Sequence, residues 1–211
     1  VRIIWYGHSC FKISEGGYSV VLDPYKPNMI PGLGKLDLTA NEVLCSHEHG
    51  DHNNRDAVTL ARAEGPSPFS IRRIPSFHDA EHGARRGANV ITLLTAGGLR
   101  AVHCGDLGCP LTPEQVGLLR GADVLMVPVG GFYTIGADEA KRICDQLDPR
   151  VVIPMHYRGP GFGPGVIDGV DRFLDRFEPS LVKRLDADAI DVGNTTPRQV
   201  AVLRFAVNGK S

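Results

Sequence analysis

Short runs of apolar positions broken by glycines dominate the first quarter of the chain. Arg2–Tyr6, Cys10–Ser14 and Tyr18–Asp23 read as strands, and Gly16-Gly17 supplies the turn between the second and third, which predicts a β-meander. Val43-Leu44-Cys45 predicts a further short strand. Ala57, Leu60 and Ala61 then recur at helical spacing until Gly65-Pro66 stops them, predicting a helix over residues 53–64. Val90–Thr95 and Leu99–Cys104 flank Gly97-Gly98, a hairpin signal. Beyond them the pattern alternates: a helix over 112–120, a strand over 124–127, a helix over 137–147 after Gly136, a strand over 151–154, a helix over 166–177 and a closing strand over 199–205. Strand runs followed by β/α alternation predict two mixed sheets packed together with helices outside. No linker separates domains, so residues 1–211 are expected to form one domain.

Composition narrows the partners. The 23 basic residues balance 24 acidic ones, which leaves no large positive field for nucleic acid or an anionic membrane. A small-molecule substrate is the expectation, with no nucleic-acid and no membrane partner. The cysteines Cys10, Cys45, Cys104, Cys109 and Cys144 form no CxxC pair, are odd in number and sit mostly in apolar runs. They read as buried reduced thiols of a reducing compartment. No apolar run approaches the roughly 18 residues of a membrane span, and the first residues look like a strand rather than a signal peptide. The cytoplasm is the default location, and a homo-oligomer is compatible with the sequence, symmetric dimers being the common default.

Candidate chemistry concentrates at one place. Eight histidines spread evenly would put about 0.2 in any six-residue window, yet three fall within His47-Glu48-His49-Gly50-Asp51-His52. Residues two apart on an extended segment point the same way, so His47 and His49 can grip one metal while Asp51 and His52 face a neighbouring position. Further ligands are expected at other strand ends, because a compact domain gathers those ends along one edge. His78 after Ile74-Pro75-Ser76-Phe77, Asp106 after Val102-His103-Cys104-Gly105 and His156 after Val152-Ile153-Pro154-Met155 satisfy this.

With these residues the chain resembles the metallo-β-lactamase superfamily, whose signature is HxHxDH followed by a separate His, an Asp and a final His. Gly7-His8-Ser9 and Leu22-Asp23-Pro24 look like that family's opening strands, His103-Cys104-Gly105-Asp106 like its His-x-Gly-Asp turn, and Pro154-Met155-His156-Tyr157 like its last ligand segment. Among subgroups the chain is most similar to compact hydrolases related to ascorbate-6-phosphate lactonase and, more distantly, to N-acyl phosphatidylethanolamine phospholipase D. The resemblance implies an α/β fold, an αββα four-layer sandwich of two mixed sheets with outer helices. It also implies two divalent metals: His47, His49 and His78 on the first, Asp51, His52 and His156 on the second, and Asp106 bridging. Redox members of the superfamily carry glutamate in place of the second histidine of the run. Here His49 is kept, which favours hydrolysis.

Two divalent ions less two carboxylates and one hydroxide leave a formal charge of about +1, which lowers the pKa of bridging water toward ~7 and favours anionic substrates. The implied enzyme uses that metal-bridging hydroxide on an ester, lactone or phosphate-bearing metabolite, with Asp106 and Asp51 in catalytic positions and Asp51 orienting the nucleophile or carrying a proton. Nitrogen and oxygen donors suit zinc first, then manganese, and iron is also compatible. The resemblance gives Asp23 a supporting role beneath the histidine loop. His8 could approach the metals from the end of the first strand, although a supporting or structural role is favoured over a direct one; His103 reads as a satisfied core histidine beside Asp106, Tyr133 as a substrate contact or a packing aromatic, and Arg158 as the better candidate to meet an anion. Residues 79–86, with His82, Arg85 and Arg86, read as a loop that could overhang the site, where Arg85 or Arg86 could meet a substrate anion, with solvated loop charges the commoner reading; the Gly/Pro-rich residues 158–164 read as a wall or lid of the pocket. The competing readings are a phosphodiesterase on nucleic acid or phospholipid, since two-metal sites suit phosphoryl transfer equally, and a non-catalytic metal-binding protein.

Overall fold

The computed structural model describes residues 1–206. The opening meander consists of β1 (Arg2–Trp5), β2 (Phe11–Glu15) and β3 (Tyr18–Leu22), followed by β4 (Leu38–Ala40), β5 (Glu42–Leu44) and β6 (Val58–Leu60). Next come β7 (Ser70–Phe77), β8 (Ala88–Ala96), β9 (Leu99–His103), α1 (Pro113–Leu119), β10 (Val124–Pro128), α2 (Ala137–Leu147) and β11 (Val151–Met155). A single helical turn, α3 (Asp171–Leu174), precedes β12 (Val182–Arg184), β13 (Ala189–Asp191) and β14 (Gln199–Val202).

Among the described residues the strands form a five-stranded sheet, β13-β1-β2-β3-β5, a seven-stranded sheet, β12-β14-β11-β10-β9-β8-β7, and a parallel pair, β4-β6. Both large sheets are mixed. In the first, β1, β2 and β3 run antiparallel and β5 joins parallel to β3. In the second, the antiparallel β7-β8-β9 meander gives way to parallel pairing among β9, β10, β11 and β14. Both glycine-pair turns behave as expected: Gly16-Gly17 and Gly97-Gly98 all take positive φ, the left-handed conformation a two-residue hairpin of matching twist requires.

Strand alternation sorts the core. Ile3, Trp5, Phe11, Ile13, Val20 and Leu22 face inward and pack with residues of the seven-stranded sheet, such as Leu94, Val102 and Met126, in one large cluster. Their neighbours Ile4, Tyr6 and Val21 face the other way, where Tyr25, Ile30, Leu33, Leu38 and Val58 cover them. The outer layer on the first sheet is therefore a long loop and the β4-β6 pair, while α1 and α2 supply helices to the core of the second sheet, through Leu119, Ala140, Ile143 and Leu147.

Two predicted helices are corrected. Residues 53–64 form one 3₁₀ turn (Arg55–Ala57) and then β6. Of the apolar triad that suggested a helix only Ala57 is buried, and Leu60 is 62% exposed. Val58 instead pairs with Leu38, and Asn54 is held by Pro24 and Tyr25, so tertiary pairing overrides the local spacing. The helix expected over 166–177 shortens to α3, because Arg158 bridges Gly169 and Asp168 N donates to Gly130 O, holding the preceding residues extended. The strands β4, β12 and β13, three residues each, carried no pattern long enough to read. Among the described residues no helix is long and apolar enough to cross a membrane. The five cysteines are all free, four of them buried.

Candidate metal centre

The histidine run follows β5, His78 follows β7, Asp106 comes three residues after β9, and His156 follows β11. Residues 7–9 leave the end of β1 at the same edge. Strand ends from both sheets thus bring all seven predicted ligands together. The ligand atoms fall into overlapping groups, each mutually within 4.8 Å: His47, His49 and His78; His47, His52 and Asp106; and His8, Asp51, His52 and His156.

A buried hydrogen-bond chain fixes which ring nitrogens face this cluster. Asp23, itself in a left-handed conformation, accepts from Ser46 N (2.6 Å), Ser46 Oγ (2.6 Å) and His52 Nδ1 (2.8 Å). Its carboxyl is held below the usual range, since burial, which opposes ionisation, is outweighed by His52. With its own proton given to Asp23, Ser46 Oγ accepts from His47 Nδ1 at 2.9 Å. Both His47 and His52 are therefore held from behind at Nδ1 and turn Nε2 toward the cluster, the orientation that metal-ligating histidines take from a carboxylate or hydroxyl behind them. Asp106 is placed by Asn89, whose Oδ1 accepts from Asp106 N (2.9 Å) and whose Nδ2 donates to Ser76 Oγ (2.8 Å) and Cys104 O (2.9 Å). Ser46, Ser76 and Asn89 escape a reading of the sequence. A polar side chain on or just beyond an apolar strand is the only signal they offer.

The donor set suits divalent ions. Asp106 Oδ2 sits 3.1, 3.2 and 3.3 Å from the Nε2 atoms of His52, His78 and His156. Two donors sharing a metal at bonds of about 2.0–2.2 Å stand roughly 2.8–3.6 Å apart in octahedral or tetrahedral geometry. His8 Nε2, His47 Nε2, His52 Nε2 and Asp106 Oδ1 are buried without a hydrogen-bond partner, a costly arrangement that a bound cation would relieve. Burial pushes His47 down to about 3, so the ring is neutral, the form a metal needs.

The lesser predicted residues divide. His103 accepts from Gly105 N through Nδ1 and donates from Nε2 to Ser9 O, which leaves neither nitrogen for a metal. His8 stands in the cluster, its ring 4.1 Å from that of His156. Tyr133 lies against His156 (ring centroids 6.5 Å) and carries the Arg86 guanidinium over its face at 5.7 Å. Arg158 is exposed and lines a separate groove with Trp5, Tyr157 and Phe205. The loop from 158 packs on the other sheet's loop through Gly163 N to Pro31 O. His82 packs on Phe77 and stands outside every candidate metal group. Asp79, buried, accepts backbone N–H groups from Glu81, Gly83, Arg85 and Arg86, which stiffens the loop that presents Arg86.

Residues 2–156 match the β-lactamase superfamily domain model. The chain is 30% identical over 200 residues to a UPF0173 protein of Pyrococcus abyssi, covering 83% of this chain and 91% of that one. It is 28% identical to a UPF0173 metal-dependent hydrolase of Hyperthermus butylicus, covering 82% and 91%. Among solved structures it is similar to a Thermotoga maritima protein assigned to the Zn-dependent hydrolases of the metallo-β-lactamase superfamily, at 32% identity and a TM-score of 0.73, covering 96% and 97% of the two chains.

Proposed function

This chain belongs to the β-lactamase superfamily, and from that premise we propose that it is a binuclear metal-dependent hydrolase of small anionic molecules. The observation that carries the reading is the position of Asp106 Oδ2 amid three imidazoles at 3.1–3.3 Å, at the junction of the two donor groups. His47, His49 and His78 would hold one ion, Asp51, His52 and His156 the other, and Asp106 would be shared. Two such ions lower the pKa of water and polarise a carbonyl or phosphoryl oxygen, and zinc fits the nitrogen-rich donor set first.

The chain's own residues supply the rest. Asp51 stays 30% exposed, and although burial opposes its ionisation, His8 and His52 outweigh it and hold its carboxyl well below the usual range. An ionised acceptor at the open side of the cluster is suited to orient an attacking water. Asp23, Ser46 and Asn89 fix the donors before substrate arrives, so no reorganisation is needed during reaction. Arg86, held over Tyr133 at the rim, is the cation placed to meet an anionic group, and it replaces Arg158 in that role.

Protein prepared without chelators is expected to hold two ions per chain and to cleave members of a panel of p-nitrophenyl esters, lactones and bis-p-nitrophenyl phosphate. Whichever class turns over distinguishes carbonyl from phosphoryl chemistry. Asp106→Ala is expected to abolish two-ion occupancy and turnover, while His82→Ala keeps both. Full metal content and activity in Asp106→Ala would overturn the shared-ligand assignment.

A further inference from the structure

We propose that His8 is a direct metal ligand, a further donor from the chain to the position formed by Asp51, His52 and His156 with the shared Asp106; the inference rests on the two-ion reading above. His8 Nε2 is buried and has no hydrogen-bond partner. It lies 3.4 Å from Asp51 Oδ2, yet the two atoms are not aligned as donor and acceptor. Two groups that close together and aimed past one another are disposed as two donors to a common centre. All four ligand atoms of the group are mutually within 4.8 Å.

The backbone is built to hold this ring in place. His8 and His156 are both non-glycine residues with positive φ, 50° and 51°, a left-handed conformation uncommon outside glycine that histidine takes more readily than most side chains. The carbonyl of His8 accepts from the Trp5 indole at 3.0 Å and from His156 N at 3.2 Å. One carbonyl therefore ties the end of β1 in the first sheet to the end of β11 in the second, with the two imidazoles side by side. Ser9 O is fixed in turn by His103. A histidine serving only to pack the core would have its nitrogens satisfied, as those of His103 are; His8 instead leaves Nε2 open toward the one cluster that can use it.

The consequence is asymmetry. Three imidazoles and Asp51, beside the Asp106 that both positions share, make this the more closed and tighter position, whereas the His47, His49 and His78 position includes an exposed histidine and stays open to ligands. The first equivalent of metal is expected to occupy the His8 position.

The test uses chelator-stripped protein titrated with Zn²⁺ in competition with a chromophoric chelator, comparing wild type with His8→Phe, which keeps a ring against His156. The tight equivalent is expected to weaken by more than about 100-fold, beyond the 10–100-fold loss of a group that only orients a ligand. X-ray absorption at one equivalent of zinc should lose one imidazole. The metal-free variant should melt no lower than wild type, because an unpaired buried nitrogen has been removed. A smaller loss of affinity, an unchanged imidazole count, or a lowered metal-free melting temperature with affinity restored in His8→Gln overturns the assignment. If His8→Phe does not fold, the imidazole count of His8→Gln decides. Wild type binding fewer than two ions, or Asp106→Ala retaining both, would instead sink the two-ion reading itself.

Discussion

At Asp23 one carboxylate accepts three hydrogen bonds, and its effect reaches two histidines: His52 directly and His47 through Ser46. Asparagine there would be nearly isosteric, but its NH₂ can donate to His52 Nδ1 and move the ring proton to Nε2, the atom that faces the cluster. Asp23→Asn is therefore expected to lower metal affinity by about 10–100-fold with little change in secondary structure, measured by metal competition and circular dichroism. Residue identity made the HxHxDH run, His78, Asp106 and His156 legible in the sequence, since metal-ligand types at strand ends are rare by chance. The same reading favoured a supporting role for His8 over a direct approach to the metals. Nothing local in Gly7-His8-Ser9 says that His156, 148 positions away, will stand 4.1 Å from its ring.

Elements place these residues by how their ends abut. The turn after β9 passes so close to the end of β7 that a Cβ on Gly108 would fall 2.3 Å from the backbone carbon and oxygen of His78 and 2.5 Å from Asp79 N. Backbone cannot yield as a flexible side chain would, so Gly108→Ala is expected to shift His78. Turnover should fall by about 10²-fold, the scale of a misplacement near 1 Å, while the melting temperature of the metal-free protein changes far less than that of the loaded one. Calorimetry of both forms checks it. The meander, both hairpins, α1 and α2 were readable because each combines a local period with its own stop signal. The expected helix over 53–64 failed because Val58 and Leu38 pair across twenty residues, which no local period encodes.

Across the whole molecule the centre joins two sheets. His47 to His52 and His8 leave the five-stranded sheet, and His78, Asp106 and His156 leave the seven-stranded one. An ion held by both stabilises only the assembled sandwich. Zinc at about 100 times its Kd adds ~2.7 kcal/mol, which for a chain of this size raises Tm by roughly 5–11 °C; chelator should remove the increment in a thermal scan. The increment depends on pH. Burial disfavours charge on His52, but Asp106 and Asp23 outweigh it and raise its pKa well above the ordinary value. The protonated ring stabilises the metal-free fold below the unfolded pKa and loses that contribution as pH rises through the folded one, while metal must displace the same proton. The zinc-induced increment is expected to grow from pH 6 to pH 8, and an increment that shrinks would contradict His52 as a ligand.

The sequence by itself determined the metal-binding residue types, their positions at strand ends, the sandwich class and the two glycine turns, because each depends on residue chemistry or on neighbours within a few positions. Tertiary structure decided what covers the first sheet, that Arg86 lies over Tyr133 beside His156, how Asn89 and Ser46 brace Asp106 and His47, and that His8 stands in the histidine cluster. Those outcomes depend on distances between chain segments far apart in sequence, and only closure of the two sheets sets such distances.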